Sequence, residues 1–410
     1  MTINTNPLES VLAAKVAAVD SSTPIESIVD ILSNINKTGI QTTVAFDSAG
    51  VLPIDSNYVG SLLATRDGKY YLFTDSSVWS EMDMAVPPPP PPPAIEGLMG
   101  TVSGYVVGGY APTVPQHMTT IVKYPFVSDT NSSSAGGLNI SRRQGAGQSS
   151  STHGYMSGGT TYPAPPPSIG PQVSRVDKFL FSTDYVTNVA PLVLSIARDN
   201  PMGQSSTTYG YTSGGYAANP NTPYPTREVN IIDKFPFAAD TNATDVGDLT
   251  AKRRSGAGSS SVTHGYTLGG YNYPVYTNII DKFPFASDGN ATDVGDLTVT
   301  VRSTAGHQSS TDGYASGGST PARSSAILKI SFATDGNAVT TPANLTEAIL
   351  SHSTTSSTTH GYRAGGANNA VYPTPNHSTV IDKFPFAADD NATDVGDLSV
   401  GTTVGTGVQY

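Results

Sequence analysis

The chain has 410 residues, of which only 13% are charged, while glycine (41) and proline (31) are abundant and cysteine is absent. Its formal net charge of −11 argues against nucleic acid as a partner, because phosphate binding requires clustered Lys and Arg. Without cysteine, disulfides, thiolate chemistry and Cys-based zinc sites are excluded. The length allows two or more domains, each with its own core.

The first part of the chain predicts a small α+β module over residues 1–86. Apolar residues recur at helical spacing in residues 8–19 and 24–35. Residues 60–74 predict a β-hairpin that turns at Asp67-Gly68, and Trp79 predicts a third strand. This hairpin resembles short β modules near the N-termini of bacteriophage virion proteins, which implies an attachment role. We expect neither a signal peptide nor membrane insertion, since no basic segment precedes an apolar core and no apolar run approaches about 20 residues.

Seven consecutive prolines follow at residues 87–93. Such a run predicts a polyproline II helix, which rises about 3.1 Å per residue and therefore gives roughly 22 Å of stiff spacer. We interpret residues 87–97 as a linker. A ligand for SH3 or WW domains is the alternative.

From residue 98 onward the chain is repetitive. The string Gly-Tyr-x-x-Gly-Gly occurs six times, with spacings of 50, 56, 55, 48 and 48 residues. A small-residue segment that begins with basic residues precedes it, and an Asp-Lys-Phe-Pro-Phe segment and an Asp-rich segment follow. Each repeat therefore predicts four short strands, and the small residues place the first strand innermost. The strings begin at Gly104, Gly154, Gly210, Gly265, Gly313 and Gly361.

The last residues carry a further signal. Residues 398–410 align without gaps onto residues 249–261, which include a small-residue segment. The first repeat lacks such a segment before its own Gly-Tyr. We therefore expect the C-terminal residues to form the first strand of the first repeat, which favours six units over seven.

The order of Arg, small-residue strand, aromatic before Gly-Gly and apolar strand is similar to the kelch motif, over roughly residues 98–410. The resemblance implies a mainly β fold, a six-bladed kelch-like β-propeller at residues 98–410. Two departures stand out: Val246, Val294 and Val395 lie where kelch repeats carry Trp, and residues 328–332 of the fifth repeat replace Asp-Lys-Phe-Pro-Phe.

The connections between the second and third strands differ in length and content in every repeat, and they are rich in tyrosine. Tyrosine combines a flat apolar face with a polar tip at low entropic cost, so we predict that these loops bind a host-surface glycan or a protein. The alternative is that the loops pack on each other and on symmetry-related copies. The predicted binding residues are Tyr110, Tyr162, Tyr216, Tyr224, Tyr271, Tyr273, Tyr276 and Tyr372.

Two further groups of residues could be ligands for a metal or an anion, or could have only structural roles. Asp288, Asn290, Asp293 and Asp296 offer oxygen ligands for calcium, but Asp and Asn are also what tight turns select, and the EF-hand spacing is missing. The histidines before Gly-Tyr in alternate repeats could surround a metal or an anion, or they could be hydrogen-bonding rim residues. They are His153, His264 and His360.

The chain contains no hydrolase elbow, zincin, P-loop or dinucleotide motif. We therefore predict a non-enzymatic virion structural protein of a tailed bacteriophage, a tail or capsid fibre-like component without cofactor or metal. Residues 1–86 would bind other virion proteins, and the protein would be a homo-oligomer. A kelch-type scaffold for protein partners outside any virus, and a polysaccharide depolymerase, are the alternatives.

Overall fold

A computed structural model describes the backbone at residues 62–64, 70–73 and 79–82, and then residues 99–111, 117–161, 171–186, 192–218, 226–368 and 377–410. The described residues are mainly β. The segments predicted as helices, residues 8–19 and 24–35, and the proline run lie outside them. Contacts divide the chain into two units, Met1–Pro91 and Pro92–Tyr410. In the described part, no helix combines the length and apolar character needed to cross a bilayer.

The first unit contains a three-stranded antiparallel sheet. Its strands, Leu62–Ala64, Tyr70–Phe73 and Trp79–Met82, pair in chain order. Leu62 lies opposite Leu72, and Phe73 lies opposite Trp79. These are the hairpin and the third strand that the sequence predicts.

The described residues of the second unit contain six antiparallel sheets of four or five strands, which we number 1 to 6 in the order of the Gly-Tyr-x-x-Gly-Gly strings. Each first strand contacts the first strands of the two neighbouring sheets, and that of sheet 6 contacts that of sheet 1. The first strands of sheets 1 to 6 are Thr406–Gln409, Ala146–Ser149, Met202–Ser205, Ala257–Ser260, Ala305–Gln308 and Ser353–Ser356.

The first strands approach each other so closely that sheets 1 to 5 have glycine at the second position of this strand. A Cβ at Gly258 would overlap the carbonyl oxygen of Gly203, and one at Gly306 would overlap the carbonyl oxygen of Gly258. Sheet 6 has Thr354 at this position, and its hydroxyl donates a hydrogen bond of 2.7 Å to the carbonyl of Gly306. The small residues of these segments are therefore explained by backbone contact between sheets.

A cycle of backbone hydrogen bonds joins the residues that lie two positions before the first strands. Each N–H donates to the carbonyl of the equivalent residue of the preceding sheet, at 2.7–3.0 Å, and the series returns to its start. All six residues have positive φ, between 49° and 61°, a conformation that costs a non-glycine residue free energy and persists only where its surroundings enforce it. With the first strands they line a cavity of about 170 Å³. The six residues are Gln144, Asn200, Ser255, Ser303, Ser351 and Val404.

The second strands carry the tyrosine of the repeated string, buried in every sheet. That ring packs on a phenylalanine at or just beyond the end of the third strand of the next sheet: Tyr211 lies 4.8 Å from Phe285, and Tyr362 of sheet 6 lies 4.7 Å from Phe126 of sheet 1, measured between ring centroids. The second strands are Ser103–Val107, His153–Ser157, Tyr209–Ser213, His264–Asn272, Asp312–Ser316 and His360–Ala364. The third strands are Thr120–Pro125, Arg175–Leu180, Ile231–Pro236, Val275–Pro284, Ser324–Ser331 and Val380–Pro385.

The lysine of each third strand forms an ion pair with an aspartate beyond the third strand of the next sheet. The Lys234–Asp288 distance is 2.5 Å, and Lys383 of sheet 6 reaches Asp129 of sheet 1 at 2.5 Å. The other pairs are Lys123–Asp184, Lys178–Asp240, Lys282–Asp335 and Lys329–Asp389. The fourth strands are Ser133–Gly137, Tyr185–Val186 with Leu192–Val193, Thr244–Asp248, Thr292–Asp296, Val339–Ile349 and Thr393–Asp397.

Four sheets contain a fully buried arginine that is paired with the aspartate of the third strand. In sheets 2 to 4 the arginine precedes the first strand, whereas in sheet 6 it lies on the second strand. Sheets 1 and 5 have Val122 and Leu328 at the aspartate position, and Thr402 and Val301 at the arginine position. At this position of the third strand, an aspartate is therefore buried only where an arginine is buried beside it. The pairs are Arg142–Asp177, Arg198–Asp233, Arg253–Asp281 and Arg363–Asp382.

Histidine replaces glutamine on one first strand, which gives a prediction for pH dependence. His307 is fully buried at the position of Gln148 and Gln204, and its Nε2 lies 2.8 Å from the Ser316 hydroxyl. Burial lowers the pKa of His307 from 6.5 to about 4. The unfolded chain therefore binds a proton first as the pH falls, so the stability contributed by neutral His307 is full above pH 6.5 and is lost towards pH 4.

We expect His307→Gln to remove about 3 kcal/mol of the stability change between pH 6.5 and pH 4. Glutamine already occupies this position in two other sheets, so the substitution introduces a side chain that the fold accepts. The measurement is the denaturation midpoint of both proteins across this pH range. Parallel profiles for the two proteins would contradict the prediction.

Candidate binding surface

The sheets continue beyond the Gly-Gly pairs. In sheet 4, Gly269 and Gly270 have φ of 60° and 121°. A bulge lies between Leu268 and Gly270, after which Gly270 pairs with Thr277 and Tyr271 pairs with Tyr276. A bulge bends a strand without ending the pairing. The connection between the second and third strands of sheet 4, predicted as a loop, is therefore corrected: it is a hairpin whose strands continue to Asn272 and resume at Val275.

Short strands also lie beyond the Gly-Gly pairs of sheets 2 and 3. Arg142–Arg143 pairs with Thr160–Thr161, and Arg198–Asp199 pairs with Tyr216–Ala218, which in turn pairs with Thr226–Glu228. Tyr216, predicted in a loop, is thus a strand residue as well.

Beyond each Gly-Gly pair, three residues lie directly opposite one another across the sheet. We call them triplets 1 to 6, after their sheets. Directly opposite residues project their side chains to the same face of a sheet. The position is the same in all six sheets, whereas the chemistry differs in each. The triplets are Thr403–Tyr110–His117, Arg143–Thr160–Gln172, Asp199–Tyr216–Glu228, Arg254–Tyr271–Tyr276, Arg302–Ser319–Arg323 and Leu350–Ala367–His377.

Triplets 3, 4 and 5 together form a row in which arginine and tyrosine alternate. The Cζ atom of Arg254 lies 4.0 Å from the ring centroid of Tyr216 and 5.5 Å from that of Tyr271. The Cζ atom of Arg302 lies 5.3 Å from the ring of Tyr271 and 5.1 Å from that of Tyr276. Contacts within about 6 Å are attractive, so each side chain holds its neighbour in place. We call these five residues the Tyr–Arg row.

The two arginines of the row differ in their charge environment. Arg254 forms an ion pair of 3.5 Å with Glu228 of triplet 3. Arg302 has no ion-pair partner among the residues that the structure describes. The row is therefore neutralised at the Tyr216 end and cationic at the Tyr276 end.

Tyr110 belongs to a separate cluster. Its ring lies 5.4 Å from that of His377 and 6.1 Å from that of His117, and the Cζ atom of Arg143 lies 5.3 Å from its centroid. Burial, and then the charge of Arg143, lower the pKa of His117 to about 4. Triplets 6, 1 and 2 are thus joined around Tyr110.

The structure brings together part of the predicted tyrosine set. Tyr271, Tyr273 and Tyr276 share one hairpin, where Tyr273 is 74% exposed and its ring lies 6.1 Å from that of Tyr271. Tyr216 joins them through Arg254, and Tyr110 stands apart. Tyr162, Tyr224 and Tyr372 lie outside the described residues.

Sequence reasoning missed the arginines of this surface. It treated the basic residues before the first strands as part of the repeat. The position three residues before each first strand could have revealed them. It holds Arg in sheets 2, 4 and 5 and other residue types in sheets 1, 3 and 6. Those arginines are Arg143, Arg254 and Arg302.

The aspartate-rich segments make turn and inter-sheet contacts. Besides the Lys234–Asp288 pair, the side chain of Asn290 accepts a hydrogen bond from the Asp248 N–H at 3.0 Å. Asp293 accepts one from the Gly295 N–H at 3.1 Å, within a turn. In the described part of the chain, no three His, Asp or Glu side chains are grouped so that they could hold a metal ion.

The three alternate-repeat histidines are hydrogen-bonded at the start of their second strands. In each, Nδ1 lies 2.8 Å from the hydroxyl of the preceding threonine. Burial lowers the pKa of all three. This is the rim contact that was one of the two interpretations of His153, His264 and His360.

No protein-family model matches the chain, and no curated protein matches it. The function is therefore inferred from the geometry of this surface and from the sequence.

Proposed function

We propose that the second unit is a six-bladed, kelch-like β-propeller and that the protein is a non-enzymatic binding protein. Four cyclic features support this arrangement: the contacts between first strands, the backbone hydrogen bonds, the tyrosine–phenylalanine packing and the lysine–aspartate pairs. Each cycle includes a link between sheet 6 and sheet 1. The pairing of Thr406–Gln409 with Ser103–Val107 supports closure by the C-terminal strand.

The Tyr–Arg row is the observation that carries the binding role. The residues that hold the sheets together recur from sheet to sheet, but the triplets change their chemistry at a fixed position. Tyrosine and arginine are enriched where proteins bind partners, because rigid amphipathic rings and planar guanidinium groups lose little entropy on binding. The row therefore serves recognition, with a host-surface glycan or a protein as ligand.

We place this recognition in a virion. The low charge, the absence of cysteine and the phage-like hairpin support a tail or capsid fibre-like component of a tailed bacteriophage. In this proposal residues 1–86 bind other virion proteins, residues 87–97 are a spacer, and the protein is a homo-oligomer. The test is mass spectrometry of particles purified on a density gradient; absence of the chain from particles whose host expresses it would overturn this part.

If the Tyr–Arg row binds the ligand, removing its tyrosines should weaken saccharide binding. We expect the full-length protein to be retained on an array of bacterial surface saccharides, and Tyr216→Ala and Tyr271→Ala each to weaken retention at least tenfold, since each removes a ring that holds Arg254. The control is Tyr209→Ala, which removes a ring paired with Lys234 at 4.6 Å, outside the triplets. Equal effects of all three variants would contradict binding through the row. Release of shortened saccharide would overturn the non-enzymatic role.

A further inference from the structure

The surface between triplets 4 and 5 has an aromatic side and a cationic side. Tyr271 and Tyr276 of triplet 4 both contact the guanidinium group of Arg302 in triplet 5. Arg323 lies in the same triplet, on the other side of Ser319. Opposite residues in antiparallel strands lie about 4.5–5.5 Å apart, so the Cα atoms of Arg302 and Arg323 are about 10 Å apart. Their side chains project to the same face.

Arg323 has hydrogen-bonding capacity that the described residues do not use. Its Nε and Nη1 are shielded from solvent and have no hydrogen-bond partner in that part of the protein. A shielded donor without a partner destabilises the folded protein, and a ligand that accepts its hydrogen bond removes that penalty. Burial also lowers the pKa of this arginine. Among the described residues, neither its guanidinium group nor that of Arg302 is paired with a carboxylate, on a protein whose formal net charge is −11.

A carboxylate of a ligand could accept hydrogen bonds from the guanidinium groups of Arg302 and Arg323. Guanidinium groups bind carboxylates through two parallel hydrogen bonds, the strongest geometry open to them. The tyrosine rings offer apolar faces, and their hydroxyls can donate and accept hydrogen bonds. A ligand that fits both sides has a ring with an apolar face and a single acidic group beside it.

The neighbouring triplet limits how much negative charge the ligand can carry. Asp199 and Glu228 lie in triplet 3, at the other end of the Tyr–Arg row. An acidic peptide that ran along the row would bring its further carboxylates towards these two, at an energetic cost. A saccharide with a single carboxylated ring avoids this contact.

We propose that the surface between triplets 4 and 5 binds a carboxylated saccharide. Arg302 and Arg323 hold its carboxylate, while Tyr271 and Tyr276 pack against its ring. The proposal rests on the binding role of the Tyr–Arg row and names the class of ligand.

The test uses the full-length protein on an array of paired saccharides. Galacturonate, glucuronate and sialic acid oligosaccharides are each matched with the neutral saccharide that lacks only the carboxylate charge. We expect at least tenfold stronger binding to the acidic member of one or more pairs. Arg302→Gln and Arg323→Gln should reduce that preference to less than twofold, and Tyr276→Ala should weaken binding to both members.

Arg143→Gln is the matched control, because Arg143 occupies the position of Arg302 in triplet 2 but lies over Tyr110. It should leave the preference unchanged, and all variants should keep the thermal midpoint of the parent. Row-dependent binding without an acidic preference would overturn this inference and leave the binding role intact. Tighter binding of a polyglutamate peptide, lost in Arg302→Gln, would assign an acidic peptide instead. Retention of saccharides that is unchanged by Tyr216→Ala and Tyr271→Ala would remove the binding role itself.

Discussion

Asp281→Ala is expected to lower the free energy of unfolding by about 3–5 kcal/mol, because it leaves the buried charge of Arg253 without its partner. Both side chains are fully buried, and the Arg253 guanidinium lies 2.9 Å from the carboxylate. The carboxylate also accepts hydrogen bonds from Thr250, at 2.9 Å from its N–H and 2.6 Å from its hydroxyl. The substitution therefore also breaks a link to the preceding sheet.

The measurement is denaturant-induced unfolding of the full-length protein. Lys234→Ala is the matched control: it breaks the pair with Asp288, which is 55% exposed, and exposed pairs contribute about 1 kcal/mol or less. The double variant Arg253→Met/Asp281→Leu should regain most of the lost stability, since apolar residues already fill these positions in sheet 5. A loss below about 1 kcal/mol for Asp281→Ala would contradict the prediction.

Val408→Asp is expected to cost about 4 kcal/mol or more, because it buries a carboxylate that has no partner. Val408 is 1% exposed and lies opposite Tyr105, in a core cluster that also contains Met156 and Phe179. These residues belong to sheets 1 and 2, so the charge would separate two sheets. It would also free the edge of Ser103–Val107 for pairing with other molecules.

Thermal unfolding and size-exclusion chromatography test this prediction. We expect a lower midpoint together with aggregation. The control is Val400→Asp, at a valine that is 41% exposed only a few residues earlier, and it should unfold like the parent. Similar midpoints for both variants would show that the last strand does not contribute to the core.

Periodicity predicted the parts of the fold that recur. The alignment of residues 398–410 predicted the strand that pairs with Ser103–Val107, and the Gly-Gly pair of the repeated string has positive φ in all six sheets. The buried Arg–Asp pairs could have been found in the same way, because the repeats with Val122 and Leu328 lack both partners. Arg363 could not, because its side chain reaches the same aspartate position from a different strand.

The Tyr–Arg row could be predicted only in part. Its tyrosines stand out by composition, but their contacts join different repeats: Arg254 packs on Tyr216 of the preceding sheet and on Tyr271 of its own. A repeat gives the position of a residue within its own sheet. It does not give the side chain that the neighbouring sheet places against it. The same limit hid the cationic end of the row at Arg302.

Sheet 1 combines strands from the two ends of the second unit, and this order affects how the sheet forms during synthesis. Its first strand is made after all its other strands, whereas sheets 2 to 6 use consecutive segments. A ribosome synthesises the N-terminal segments first. One edge of Ser103–Val107 therefore remains unpaired while the other five sheets can already form. The pairing of Thr406–Gln409 with Ser103–Val107 therefore depends on contacts between residues far apart in sequence, which form slowly. A nascent chain that stalls before residue 406 would leave the edge of Ser103–Val107 free to pair with other molecules, the cell's chaperones among them.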